Sequence, residues 1–365
     1  MTIYTVNTAD KNQSSAATQV LKDLLDKKIA DAVMVSAENP WSRLPMPTVF
    51  TDSAKMDKVV PLAPAAAVSY ARQGSLLTRN PNGKTVALVL KPCEVRAFIE
   101  LAKLNQCTLD NTIIISMDCF GRMENGDYAA MAEQHPDLPE AFVCDENLQR
   151  NITSTCASCD AFIPVNADIQ FCIMGMGQGG LGIKAGTEKG AGILESLGLS
   201  TASQPQDRDA AIKASTERRQ ALKSELFETT ASKLKSIEGF QTFISRCINC
   251  YNCRSACPVC YCRECVFLTD VFAYPPELLL ERANRRGSVK MPTDTTMFHM
   301  TRLSHIGHAC VGCGQCTSVC PSDINVADMF RTVGEKTQSY FNYIPGRDVF
   351  EPIPQLVARK GQSQE

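Results

Sequence analysis

Cys247-Ile248-Asn249-Cys250-Tyr251-Asn252-Cys253-Arg254-Ser255-Ala256-Cys257-Pro258 and Cys310-Val311-Gly312-Cys313-Gly314-Gln315-Cys316-Thr317-Ser318-Val319-Cys320-Pro321 carry one pattern, C-x2-C-x2-C-x3-C-P. Three thiolates at this spacing wrap three corners of a 4Fe-4S cubane. The fourth, held before a proline, points away and serves a second cubane. The pattern assigns Cys247, Cys250, Cys253 and Cys320 to one cluster, and Cys310, Cys313, Cys316 and Cys257 to the other. Zinc knuckles also use C-x2-C, but they lack the third evenly spaced cysteine and the trailing proline.

Composition sets the frame around these runs. A chain of 365 residues has room for two domains and a sizeable core. A formal charge of −2 leaves no electrostatic footprint for nucleic acid or an anionic membrane. Met1 to Val6 show no basic patch followed by an apolar run, and no apolar stretch reaches the ~18 residues of a transmembrane helix, so a cytoplasmic protein without membrane insertion is expected. Eighteen cysteines in an intracellular chain of this length point to metal ligands rather than disulfides.

Cys260, Cys262 and Cys265 follow the first run closely and exceed what two cubanes need. They read equally as ligands of another cluster, as thiols tuning a neighbour, or as buried cysteines. His305 and His308, just before the second run, read as surface groups or neighbours of ligands.

The first ~200 residues read as α/β. Ala17, Val20, Leu21, Leu24 and Leu25 recur at helical spacing, and Ala32 to Val35 form a short apolar strand. Thr85 to Leu90 is a buried-strand pattern, Glu94 to Leu104 is helical, and Asn111 to Ser116 is a second strand. Cys93 and Cys119 each fall just past a strand. A parallel βαβ unit puts both at the carboxyl edge of the sheet, where α/β folds keep their sites. Cys156-Ala157-Ser158-Cys159 adds a pair from a loop, making four thiolates. On spacing alone a third cubane and ordinary buried cysteines are equal readings. Cys107, Cys144 and Cys172 read as structural. The glycine-rich segment Gly175 to Gly190 suits close backbone approach to a phosphate or ring, but it matches neither the dinucleotide fingerprint nor the Walker loop, and turn glycines explain it equally. From Asp207 to Glu238 the sequence is charged and helical, and Leu222, Leu226, Phe227, Leu234 and Ile237 suggest one apolar face.

With these segments in view, the chain resembles the beta subunits of cytoplasmic formate dehydrogenases, within the coenzyme F-420 hydrogenase and dehydrogenase beta-subunit family. The matching residues are Lys91-Pro92-Cys93, Glu100 to Gln106, Asp118-Cys119, Cys156 to Asp160, Ala167-Asp168-Ile169, Arg246 to Cys265, Arg302 to His305, the second cysteine run and Tyr343-Ile344-Pro345-Gly346. The run Cys257 to Cys265 is the most specific, because generic ferredoxins lack it.

The resemblance implies an iron–sulfur flavoprotein. It implies FAD in the N-terminal domain, beside a third 4Fe-4S cluster whose ligands match Cys93, Cys119, Cys156 and Cys159. The expected flavin contacts are Ser14, Ser15, Gly175, Gly177, Gly179, Gly180, Lys184, Thr187 and Lys189. Lys91 and Arg96 are the charges expected near Cys93. The implied architecture is an α/β FAD and 4Fe-4S domain over 1–204, a helical connector over 205–240 and an α-helical two-cluster ferredoxin-like domain over 241–365.

There are departures. Asn12-Gln13-Ser14-Ser15-Ala16 stands where deazaflavin-using members tend to have a Cys-Gly-Gly-type helix start, and Phe171 to Gly175 replaces a short acidic or Asn-Trp turn. FAD is therefore expected, while the acceptor stays open among deazaflavin, NAD(P), a ferredoxin and a heterodisulfide-reductase-type complex. No formate or molybdopterin motif is present, so substrate oxidation is expected on a catalytic molybdopterin-type dehydrogenase subunit, with no catalytic residue on this chain. Two other readings remain at this stage: an independent deazaflavin- or NAD(P)H-linked oxidoreductase, and a cluster-bearing adaptor in a bifurcating complex.

Overall fold

Val86–Leu90 and Thr112–Met117 are buried along their whole length. Such unbroken apolar runs suit parallel strands covered on both faces. In the structure, a computed structural model that describes residues 3–6, 12–80, 83–176, 180–202 and 205–354, they are the central strands of an eight-stranded mixed sheet. The strands are β1 (Ile3–Val6), β2 (Ala32–Asn39), β3 (Ser42–Phe50), β4 (Val86–Leu90), β5 (Thr112–Met117), β6 (Ile169–Cys172), β7 (Leu181–Ala185) and β8 (Ser200–Ala202). Their order is β3-β2-β4-β5-β6-β7-β1-β8. The four from β2 to β6 run parallel, and the flanking pairs are antiparallel.

The expected strand at Ala32 to Val35 extends to Asn39 and turns back as the hairpin strand β3. The helix Pro92–Lys103 joins β4 to β5, as its periodicity suggested. Pro92 opens it, where a missing N–H is harmless. The Glu94 carboxylate reaches back to accept from the Lys91 N–H at 3.0 Å and from the Tyr70 N–H at 2.9 Å.

Alternate residues of the central strands face two cores. Ala87, Val89, Ile113 and Ile115 pack with Val20, Leu21 and Leu24 of the helix Gln13–Asp26. Leu88, Leu90 and Ile114 join Phe98 on the other side. There the core runs without a break into Cys253, Phe267, Phe298 and Phe330 of the C-terminal helices, so the cysteine-rich half buries itself against the sheet.

The charged segment forms one 28-residue helix, Gln206–Lys233. Its inward side corrects the sequence expectation in part: Leu222 and, on the next helix, Ile237 are exposed, Leu226, Phe227 and Leu234 are half-buried, and the buried positions are Arg208, Arg219 and Thr230. Among the described residues no helix is long and apolar enough to cross a membrane.

Candidate functional site: three cysteine quartets and a cleft

The two cysteine runs share a backbone shape as well as a spacing. Asn249 and Tyr251 adopt φ of +53° and +61°; Gly312 and Gly314, at the equivalent positions, adopt +70° and +76°. Left-handed residues alternating with the cysteine between them turn backbone N–H groups inward to form a concavity for negative charge. Glycine does this without strain. In the first run side chains hold the turn: Asn249 donates to Asp294 at 2.9 Å and accepts from the Thr295 hydroxyl at 2.9 Å, while the Tyr251 hydroxyl donates to Asp294 at 3.2 Å.

Cys247, Cys250, Cys253 and Cys320 are brought within range of one another's charge. Burial pushes the Cys253 thiol up to about 11, with Arg302 opposing and the other three sulfurs adding. Backbone N–H groups of Asn249 and Ile324 point at Cys247 and Cys320, each at 3.5 Å. Arg302 Nη1 donates to Cys253 Sγ at 3.1 Å, and His299 Nε2 lies 3.4 Å from Cys247 Sγ.

Cys257, Cys310, Cys313 and Cys316 line one cavity, together with Arg302, Arg331 and Phe330. Burial and then the neighbouring sulfurs push Cys313 up to about 12 and Cys316 well above its ordinary value. N–H groups of Val259, Cys260, Gly312 and Gln315 oppose the shifts.

The third quartet is assembled from distant segments. Cys93 sits at the start of the Pro92 helix and Cys119 just beyond β5, both at the carboxyl edge of the sheet. Cys156 and Cys159 come from the short helix Ser154–Ala157 and the turn after it. Burial raises Cys93, Cys119 and Cys159, and the members of the quartet add to one another's shift. Cys93 also feels Cys313, so the third quartet adjoins the second. Of the two charges expected near Cys93, Lys91 lowers the Cys119 thiol, while Arg96 donates to the Val311 and Pro345 carbonyls and bears on Cys310.

Among the described residues no group of three or more histidine, cysteine or carboxylate side chains is gathered as a metal-ion site. Four thiols with inward N–H donors and nearby cations suit an anionic four-iron cluster.

Beside the third quartet opens a cleft of about 770 Å³, lined by Gln13, Phe120, Cys144, Arg150, Ala157, Gly175, Ala214, Arg218 and Arg219 among others. Its size suits a large cofactor. Gln13 Oε1 and Arg219 Nε are buried without a hydrogen-bond partner, which marks polar atoms available to a ligand. Gly175, at φ +68°, is required here: a Cβ would lie 2.5 Å from Arg208 Cα.

The residues read as flavin contacts are scattered by the fold. Gly175 lines this cleft, and Gly180 accepts from Gln13 Nε2 at 3.0 Å. Gly177 and Gly179 lie outside the described residues. Ser14 and Ser15 line a second cleft of about 630 Å³ with Lys22, Lys58 and Glu140. Lys184 sits on β7 opposite Gln170. Thr187 and Lys189 are instead tied to Asp168 at the amino end of β6: the Thr187 hydroxyl donates at 2.7 Å and the Lys189 ammonium pairs at 2.8 Å. That edge is the opposite one from the cysteines.

Among the remaining cysteines, Cys107 and Cys172 are buried and pushed up by burial to about 12 and 11. Cys144 and Cys262 are exposed. Cys260 is raised by burial to about 11, with Cys257 adding. His305 is exposed, whereas His308 is buried with its ring 6.5 Å from that of Tyr343. Sequence reasoning missed His299, Arg219, Arg302 and Arg331 as site residues. One signal was present: His299 and Arg302 recur with Phe298 on one side of the helix Thr295–Ile306.

Residues 242–324 match the 4Fe-4S dicluster domain family. The F420-dependent formate dehydrogenase subunit beta of Methanocaldococcus jannaschii is 27% identical over 91% of this chain and 92% of its own length. The F420-dependent formate dehydrogenase 1 subunit beta of Methanococcus maripaludis is 29% identical over 91% of this chain and 90% of its own. Among solved structures, a chain of the F420-reducing [NiFe] hydrogenase complex from Methanosarcina barkeri aligns over 65% of this chain and 94% of that one, with 15% identity and a TM-score of 0.48. The chain, a mixed α/β sheet followed by a helical region with a 4Fe-4S dicluster domain, is similar to the beta subunits of F420-dependent formate dehydrogenases, which are oxidoreductase subunits.

Proposed function

We propose that this chain is the iron–sulfur flavoprotein subunit of a formate dehydrogenase-type complex, carrying electrons between a molybdopterin-type catalytic subunit and an acceptor. The observation that carries the reading is the continuity of the sites: the first two quartets are joined through Cys253 and Cys257, Cys313 adjoins Cys93, and the third quartet borders the cleft. In this reading the twelve cysteines of the quartets ligate three 4Fe-4S clusters. FAD occupies the 770 Å³ cleft. A flavin exchanges two electrons at once and a cubane one, so a chain holding both joins two-electron chemistry to one-electron carriers.

The residues define what the chain itself contributes. Cys250 is exposed, which opens the first quartet to a docked redox partner. Cys93, Cys119, Cys156 and Cys159 are part-buried, and Gln13 and Arg219 supply polar atoms to the cleft. Residues 1–204 form the flavin and cluster unit, 205–240 the connector and 241–365 the dicluster unit. Nothing in the chain's own chemistry oxidises formate. The reconstituted chain alone should leave formate unchanged, and should reduce viologen with formate once a catalytic subunit is added. Formate oxidation by the chain alone would overturn the reading.

A further inference from the structure

Five arginines are buried among the described residues: Arg122, Arg208, Arg219, Arg302 and Arg331. Two have carboxylate partners, Arg208 with Asp118 and Arg122 with Glu124 at 3.8 Å. The other three, only 3%, 4% and 8% exposed, form no ion pair among the described residues. Asp328, one turn before Arg331 on the same helix, feels its charge but does not come within ion-pair distance. A buried guanidinium stays charged, so some other negative charge must offset its desolvation.

Each of the three stands at a junction. Arg302 donates to Cys253 Sγ of the first quartet and lines the cavity of the second. Arg331 lines that same cavity against Gly312, and donates to the Ser158 carbonyl at 2.6 Å and hydroxyl at 2.7 Å between Cys156 and Cys159 of the third. Arg219 donates to the carbonyls of Cys119, Phe120, Cys156 and Cys159, and lines the cleft. Each also rests on an aromatic face, Phe330 for Arg302, Phe227 for Arg331 and Phe162 for Arg219. Water is thereby excluded around the charge.

We propose that Arg302, Arg331 and Arg219 set the potentials of the relay, one fixed positive charge at each junction favouring the reduced state of both sites it separates. The proposal rests on the three-cluster reading above. The step concerned is a one-electron transfer between neighbouring sites: the acceptor site gains one negative charge, the donor site loses one, and the guanidinium keeps its proton. Removing the positive charge makes reduction harder on both sides of the junction.

The test uses the full chain, loaded anaerobically, in wild type, Arg331→Gln and Arg331→Lys. Iron and sulfide are counted, and dithionite titration is followed by electron paramagnetic resonance. About twelve irons in the wild type tests the cluster reading separately from the potentials; a lower count defeats that reading whatever the variants do. With the clusters in place, Arg331→Gln should make two of the three centres at least tenfold harder to reduce, about 59 mV for one electron. The third centre should be unmoved, and Arg331→Lys should titrate as wild type. Unchanged potentials in a loaded Arg331→Gln chain would overturn the proposal. If that variant does not take up its iron, the lysine variant decides alone: wild-type potentials support a charge effect, and potentials lowered despite the retained charge contradict it.

Discussion

Arg208 grips Asp118 with both terminal nitrogens, tying the start of the long helix to the carboxyl edge of the sheet. The same carboxylate accepts from the Ile173 and Met174 N–H groups at 2.7 and 3.0 Å, so one side chain anchors two walls of the cleft. Asp118→Ala leaves the guanidinium buried and uncompensated. We expect a loss of about 3–5 kcal/mol in stability, read by denaturant unfolding; a change below about 1 kcal/mol would show that the pair is not needed.

Cys93→Ser or Cys119→Ser should remove about four irons per chain, because each takes one corner from a four-iron cluster. Cys172→Ser, a buried thiol on β6 that belongs to none of the quartets, should leave the iron content unchanged. Equal iron in all three variants would return Cys93 and Cys119 to structural roles.

Ala214 lies on the long helix and lines the large cleft. Ala214→Trp fills that space without replacing a cysteine. Flavin content should fall several-fold while iron stays constant. Retained flavin would place it elsewhere, with the second cleft at Ser14 and Ser15 the next candidate.

Glu140 lies in that second cleft, away from the quartets. Burial raises its carboxyl above the ordinary 4.5, with a hydrogen bond from Ser14 opposing. A raised carboxyl favours folding while protonated, so its contribution is fully present below about 4.5 and is lost as pH rises through the folded value. Glu140→Gln should therefore be slightly more stable than wild type at pH 7, by no more than about 1 kcal/mol for a half-exposed group. The difference should vanish below pH 4. Thermal melts at both pH values check the sign; a variant less stable at pH 7 would contradict it.

Gly190 opens the helix Glu188–Leu197, where a Cβ would sit 1.9 Å from the Asp168 carbonyl. Gly190→Ala must push the helix off the strand, and we expect more than about 1 kcal/mol of destabilisation. Gly192→Ala, which meets nothing within 4 Å, should be neutral or mildly stabilising by the helix preference of alanine.

Much of this was legible in sequence, for identifiable reasons. Ligand spacing is local, so the two cysteine runs state their own chemistry. Burial on both faces leaves unbroken apolar runs, so β4 and β5 and the helix between them could be read directly. The β2–β3 hairpin could not: Ser42–Phe50 mixes Arg43, Pro45 and Pro47 into an edge strand, where burial does not impose a pattern. The inward face of the long helix was read only in part: Phe227 packs under Arg331, but Arg208 and Arg219 take buried positions expected of apolar residues, and the aromatic and carbonyl partners of Arg219 come from other segments. The glycine-rich segment joined residues that the sheet separates: Gly175 faces the cleft at one edge, while Thr187 and Lys189 serve Asp168 at the other.

The central claim is that three cysteine quartets and one cleft hold three clusters and a flavin. The most direct test is iron, acid-labile sulfide and flavin content measured on one anaerobically purified sample. We predict about twelve irons, about twelve sulfides and about one FAD per chain. About eight irons and no flavin would contradict the account, leaving a two-cluster wire with Cys93, Cys119, Cys156 and Cys159 as structural thiols.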